Sequence, residues 1–254
     1  MGKFDFEKKF DRVYCLSLAD NKERREYAVL DFDRVGVIGS NFEWKITVRN
    51  PLYRYIWDNP SFNIESWWKN NNPILNCALG HYEIMKESLV MGYEYVLILE
   101  DDCRFHKDVG FVWSVFENTP NDYDICLYDK FIPVSHKPYM NAIESMRVNQ
   151  MFFDFSKVKL WSTACYALSR KAMESIVSEQ ERFFQPPDHV TNCVDNNGNV
   201  LKNDNLHRYS AIKNAAVQEF YGKKYDSLDA LYLDRYIYEG IVDRSEYNVI
   251  TAKI

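Results

Sequence analysis

Glu100, Asp101 and Asp102 stand in a row directly after the apolar run Tyr95-Val96-Leu97-Ile98-Leu99. Adjacent carboxylates repel one another, and a divalent cation bound between them offsets that cost. All-oxygen donors suit Mg2+ or Mn2+, ions that also bridge the oxygens of a diphosphate. In open α/β sheets ligands bind beyond the carboxyl ends of the strands, which is where the triplet falls if the apolar run is a strand. A solvated acidic turn is the plainer alternative for three such residues taken alone.

Other residues carry weaker signals. Arg24 and Arg25 open a helical segment, where a cation opposes the macrodipole unless an anion such as a phosphate is held nearby. An ordinary solvated helix face is the alternative. His81 lies on a helical pattern beside Ala78 and Met85, as a satisfied core histidine or as a contact to a ligand. Asp188 and His189 follow Pro186-Pro187 in a rigid turn, so Asp188 is a candidate general base, against the commoner role of a turn aspartate. Trp57, Trp67 and Trp68, near the amides Asn70 to Asn72, would suit a sugar-binding surface, although any single aromatic is more often core.

The elements that must position these groups follow from hydrophobic period and turn chemistry. Arg12 to Leu18 predicts a buried strand, followed by a helix with Asp20 as N-cap, Glu23 completing a capping box and Gly36 as the stop. Trp44, Ile46 and Val48 alternate with charged and polar residues, a half-buried strand with those three side chains inward. Pro51 to Pro73 is expected to be an irregular excursion. From Pro73, apolar residues at three- and four-residue spacing as far as Leu89 predict a helix ending at Gly92. The run Tyr95 to Leu99 predicts a central parallel strand. Further strands are expected at Asp124 to Tyr128 and Ala164 to Leu168, with helices at Arg170 to Val177 and Ser227 to Glu239. Strands alternating with helices imply an α/β sheet covered on both faces, in one domain over residues 1–254.

Composition closes off other classes. The chain has 254 residues, 46% of them hydrophobic and 27% charged, which excludes a disordered or low-complexity protein. A net charge of −6 argues against nucleic acid as a partner, since phosphate neutralisation needs a clustered basic face. No window reaches the ~18 apolar residues of a membrane span, and MGKFDFEKKF, with no apolar stretch of signal-peptide length and Phe6 where a myristoylation signal wants Ser or Thr, is expected to be neither a leader nor a lipidation site. Six cysteines occur singly, with no CxxC pair, as expected of reduced thiols in a soluble cytoplasmic protein. Neither GxGxxG nor GxxxxGK[ST] is present. The 16% share of Phe, Tyr and Trp is high enough to suggest an aromatic-lined site beyond the core.

Four segments in order resemble glycosyltransferase family 25, the lipopolysaccharide-type and procollagen-type galactosyltransferases. Val13 to Glu26 (VYCLSLADNKERRE) is similar to the opening strand and its arginine-bearing helix, with Arg24 on the family arginine. Asn76 to Glu87 (NCALGHYEIMKE) resembles a Gly-Cys-Ala-Leu-Ser-His segment, with His81 on the family histidine. Val96 to Cys103 (VLILEDDC) resembles the Ile-Leu-Glu-Asp-Asp signature, and Ser162 to Val177 a Thr-Ala-Ala-Tyr-x-x-Ser-Arg block. Pro186 to His189 is similar to the family Pro-x-Asp, and Ala216 to Phe220 to a final strand carrying a Gln. The likeness spans Val13 to Tyr225. Asn76, Gly80 and Ala19 depart from it, standing where the family has Gly, Ser and Asp. The exchange at 80 is expected to alter a substrate contact.

The resemblance implies a GT-A-type, Rossmann-like fold, a UDP-sugar donor with galactose as its usual sugar, and inversion at the anomeric carbon. It places Leu18, Arg24, His81, Glu100 and Asp101 at the nucleotide sugar and Mn2+ or Mg2+ on Asp101 and Asp102. Asp188 becomes the expected base for the acceptor hydroxyl, with Asp129, just beyond a predicted strand, as the second candidate. The acceptor would be a glycan or glycolipid, through which the enzyme could touch the inner face of a membrane; the oligomeric state is left open. The rival readings are a non-catalytic carbohydrate-binding protein on the same fold and a metal-dependent phosphoesterase. The second would need further ligands, and the five histidines show no spacing such as HExxH.

Overall fold

Five consecutive buried side chains between two half-exposed ends make Arg12–Leu18 the first strand, β1, with the predicted bounds. The computed structural model describes residues 3–47, 72–130, 145–160, 162–182, 191–192 and 205–218. Val48, the expected excursion from Pro51 as far as residue 71, the three tryptophans within it, Asp188, His189 and the predicted helix from Ser227 to Glu239 lie outside the described residues, and Asn72 and Pro73 are already helical.

A short helix α1 (Phe6–Lys9), capped by the Asp5 carboxylate, precedes β1. After β1 come helix α2 (Lys22–Val35), strand β2 (Phe42–Thr47), helix α3 (Asn72–Met91), strand β3 (Tyr95–Glu100) and strand β4 (Cys103–Phe105). Helix α4 (Val109–Glu117), strands β5 (Ile125–Leu127), β6 (Phe152–Asp154) and β7 (Cys165–Ser169), helix α5 (Arg170–Arg182) and strands β8 (Arg208–Ala211) and β9 (Ala216–Gln218) complete the described elements.

Two expectations about local structure need correction. Asn21, not Asp20, is the N-cap of α2, no side chain caps that end, and the Asn21 amide donates to Asp101. In β2 the predicted inward residue Ile46 is 45% exposed while Thr47 is buried. The other end of α2 follows the expected chemistry: Gly36 takes φ 81°, a left-handed turn that a side chain would strain, and its N–H closes onto Asp33 and Phe32 carbonyls.

Seven strands form one sheet in the order β2-β1-β3-β7-β5-β8-β6, and β4 pairs with β9 in a separate ribbon. β3 is central, as predicted, but only one of its edges is parallel: it runs parallel to β1 and antiparallel to β7. Side chains alternate between two cores. Tyr14, Leu16, Val96, Ile98, Tyr166 and Leu168 pack on one face with α3 and α5. Val13, Cys15, Leu97, Leu99, Cys165 and Ala167 pack on the other with α1, α2 and α4. The fold is therefore α/β with helices on both faces, and each fully buried Leu, Ile, Val or Phe contributes roughly 1.5–3 kcal/mol. Much of the aromatic excess is spent in the second core. Phe116 lies 4.0 Å from the Tyr128 ring and 4.9 Å from Phe6, and Trp44 stacks on Phe32 at 6.3 Å. Among the described residues no helix is long and apolar enough to cross a membrane.

Gly80 lets α3 close onto the sheet. A Cβ there would sit 2.5 Å from Leu16 Cδ1 and 3.2 Å from Thr47 Cγ2. The position faces these two side chains, so the expected loss of a substrate contact is replaced by a packing role. Gly80→Ala gains helix propensity of up to ~1 kcal/mol but overpacks a buried contact at about 1–3 kcal/mol. A net loss of roughly 1 kcal/mol is expected in urea unfolding.

A candidate active site at the ends of β1 and β3

The acidic triplet begins where β3 leaves both neighbours. Glu100 N–H donates to Ala164 O, on the β7 side, and Asp101 N–H donates to Leu16 O of β1, each at 3.0 Å. The backbone is thus pinned through the first two carboxylates, and the loop entering antiparallel β7 is brought to the same rim.

Asp101 is buried and well satisfied. It accepts from Ser17 Oγ at 2.6 Å, from Asn21 Nδ2 at 3.1 Å and from Arg24 Nη1 at 3.4 Å. Asn21 thereby gives its side chain to the site instead of to the helix end. Asp102 is less well served. Its Oδ2 accepts from Arg24 Nη1 at 3.3 Å and Gln218 Nε2 at 3.4 Å, while its buried Oδ1 has no hydrogen-bond partner. Burial, followed by the charges of Glu100 and Asp101, pushes the Asp102 carboxyl well above the ordinary carboxylate range, against Arg24 and Gln218.

The two arginines divide their work. Arg24 reaches both aspartates, so the anion beside this helix start belongs to the chain itself. Arg25 donates to Ser17 Oγ and to the carbonyls of Leu18 and Ala19, fixing the turn after β1. Leu18 therefore enters the site through a carbonyl that Arg25 already occupies.

His81 is fully buried, which leaves its ring no open contact with a nucleotide. Its Nδ1 lies 2.9 Å from Tyr166 Oη and its Nε2 lies 3.2 Å from Glu100 Oε1. Thr163 Oγ1 also donates to Glu100 Oε1, at 3.2 Å. Cys77, one helical turn before His81, completes a group whose ligand atoms lie within 4.8 Å of one another. Sequence reasoning missed this convergence. The Cys-x-x-x-His spacing was visible, but its third member arrives from β3.

Asp129 faces inward. Its Oδ2 accepts from Ser162 Oγ and its Oδ1 from Cys165 N–H at 3.0 Å. Burial raises its pKa to about 7, opposed by the Ser162 and backbone hydrogen bonds. Ser162 has φ 92°, a conformation that costs a non-glycine residue about 1–3 kcal/mol, and the Asp129 contact holds it there. The structure thus brings together Arg24, Glu100, Asp101 and Asp102, with Leu18 and His81 behind them. Asp129 braces the rim from within.

Can the rim hold a divalent ion? The buried, unpartnered Asp102 Oδ1 beside Asp101 is a hard oxygen donor lacking a counterpart, and the pair fits Mg2+ or Mn2+. Arg24 already supplies part of the positive charge that these carboxylates call for.

A family model described as glycosyltransferase family 25 (LPS biosynthesis protein) matches residues 10–191. No curated protein matches the chain. Among solved structures, A197 from STIV is similar over 85% of this chain and 99% of that one, at 12% identity and a TM-score of 0.35. A likeness so distant carries no argument.

Proposed function

The chain belongs to glycosyltransferase family 25, and from that premise we propose a metal-assisted, inverting transfer of a hexose, galactose first among candidates, from a UDP-sugar to a glycan or glycolipid hydroxyl. The membership indicates glycosyltransferase activity and a part in lipopolysaccharide-type biosynthesis. The finer reading is carried by the rim itself, above all by the unpartnered Asp102 Oδ1 beside Asp101 at the strand ends. The parallel half-sheet β2-β1-β3 ending in three carboxylates supports a GT-A-type arrangement.

Asp101 and Asp102 would hold Mn2+ or Mg2+, which supplies Lewis-acid neutralisation of a diphosphate leaving group. Arg24, whose side chain is 31% exposed, reaches the same carboxylates and is placed to meet a phosphate oxygen as well. Glu100 is oriented by His81 and Thr163, and Asp129 holds the backbone on either side of Thr163 through Ser162 and Cys165. Asp188 takes the role of general base on the resemblance of its Pro-Pro-Asp segment, removing the acceptor proton on the face opposite the leaving group. Asp129 is a positioning residue in this scheme, since it is buried facing inward and braces Ser162 and the Cys165 backbone. A lipid-linked acceptor would bring the enzyme to the membrane surface without any span of its own.

Thermal unfolding with UDP-galactose and UDP-glucose, with and without Mn2+, tests the donor. Ligand at a hundredfold excess over Kd adds about 2.7 kcal/mol to stability, a readily measured rise in Tm. The expected result is a rise that requires both UDP-sugar and Mn2+. No rise with any UDP-sugar at millimolar concentration would overturn the proposal.

A further inference from the structure

We propose that Cys77, His81 and Glu100 form a second metal centre, selective for zinc, that ties α3 to the end of β3. The inference rests on these three residues and not on the transferase reading. Cys77 and His81 are four residues apart on α3 and so share one face of the helix, and Glu100 ends a central strand. All three ligand atoms therefore come from rigid elements rather than from loops. His81 Nε2 and Glu100 Oε1 are 3.2 Å apart, close to the roughly 3.3 Å edge that two ligands at about 2.0 Å span around a tetrahedral zinc ion. The widest separation in the group is 4.8 Å, and bringing Cys77 Sγ to tetrahedral distance takes about 1 Å of side-chain movement.

Sulfur and imidazole donors distinguish this group from its neighbour. Zn2+ suits Cys, His and Glu, whereas the all-oxygen pair Asp101 and Asp102 suits Mg2+ or Mn2+. Charge points the same way. Arg24 answers Asp101 and Asp102, but among the described residues Glu100 has no Lys or Arg partner. A thiolate and a carboxylate together cancel the charge of one zinc ion. Cys77 and the Glu100 side chain are both partly exposed, which leaves an entry path and a fourth position for water.

Tyr166 supplies the outer support that zinc histidines usually have. A phenol can donate or accept, so it serves both states. Without the ion, Tyr166 O–H donates to Nδ1 and Nε2–H donates to Glu100. With zinc, Nδ1–H donates to Tyr166 Oη and the Nε2 lone pair turns to the metal. Binding breaks the Cys77 S–H bond, forms S–Zn and releases one proton to solvent, with no change of oxidation state.

The test uses the full chain and the metals alone. Protein purified without chelator is expected to carry about one zinc per chain by elemental analysis. After stripping, Co2+ should give a tetrahedral spectrum with a thiolate-to-cobalt charge-transfer band in the near ultraviolet. Cys77→Ser should lose that band, whereas Asp102→Asn should keep it. Tyr166→Phe should keep the band and weaken zinc binding about 10- to 100-fold. A wild-type cobalt spectrum without the band overturns the proposal, as does a band that survives Cys77→Ser or an affinity unmoved by Tyr166→Phe. Should a variant fail to fold, the wild-type zinc content and cobalt spectrum decide alone.

Discussion

Asp102→Asn is expected to abolish metal-dependent donor binding and to lower sugar transfer by on the order of a hundred- to a thousandfold while the chain stays folded. The substitution keeps the shape of the side chain and its contacts with Arg24 and Gln218 within reach, but removes the charge from a carboxylate whose buried Oδ1 lacks a partner. Stability should move the other way. Burial and two neighbouring carboxylates hold the Asp102 carboxyl above its unfolded value. Its contribution is therefore fully present below the unfolded carboxylate pKa and is lost as pH rises through the folded one. At neutral pH the neutral amide escapes that loss, so the metal-free variant should melt no lower than wild type. A transfer assay and paired melts with and without Mn2+ check both halves. Wild-type transfer by the variant would remove Asp102 from the site.

The second large effect is a pH dependence written by Asp129. Its carboxyl, raised from 3.8 to about 7, favours the fold below pH 3.8 and loses that contribution as pH rises through about 7. A rise of that size corresponds to about 4 kcal/mol over the whole interval. Asp129→Asn has no such titration. Urea unfolding of metal-free wild type and variant between about pH 4 and 8 should show a difference that moves progressively in favour of the variant as pH rises, then levels off. A constant difference across that range would mean that Asp129 titrates alike in the folded and unfolded chains. The brace on Ser162 would then be structural only.

Much of the scaffold could be read from residue order. β1 was legible to the residue because four buried apolar side chains in a row, Val13 to Leu16, leave little choice, and α3 to within a residue because its apolar period persists along a 20-residue helix. Strand direction was not legible: an apolar run such as Cys165 to Leu168 looks alike in either orientation, and only pairing makes β7 antiparallel. The cap of α2 failed for a different reason. Local chemistry favours an Asp-x-x-Glu box, but the helix begins one residue later, and Asn21 there gives its Nδ2 to Asp101, a partner across the fold that residue order does not show. In β2 Trp44 packs on the second core as expected, but it is Thr47 and not Ile46 that is buried, where the close approach of α3 at Gly80 leaves room for a small side chain.

The candidate site divides in the same way. Glu100 to Asp102 and Arg24 announced themselves by charge and by their place after a strand and at a helix start. Ser17, Thr163 and Tyr166 did not, since a lone hydroxyl in an apolar segment has no pattern to betray it. His81 was readable as a satisfied core histidine or as a ligand contact, but its hydrogen bonds to Tyr166 and Glu100 were not. Its partners come from two strands, β3 and β7, that sequence order alone does not bring together.

The rim is also assembled across long stretches of chain. Ser17 and Asp101 are 84 positions apart, and Asp102 and Gln218 are 116 apart. Loop-closure entropy grows slowly, by about 0.6 kcal/mol for each doubling of length, so the equilibrium cost of such contacts is modest. The cost in time is larger, because non-local contacts slow folding. During synthesis at about 5–20 residues per second, Gln218 follows Asp102 from the ribosome by on the order of ten seconds. For that interval the nascent chain carries its crowded carboxylates without the Gln218 donor, and the rim is complete only once more than a hundred residues beyond Asp102 have been made.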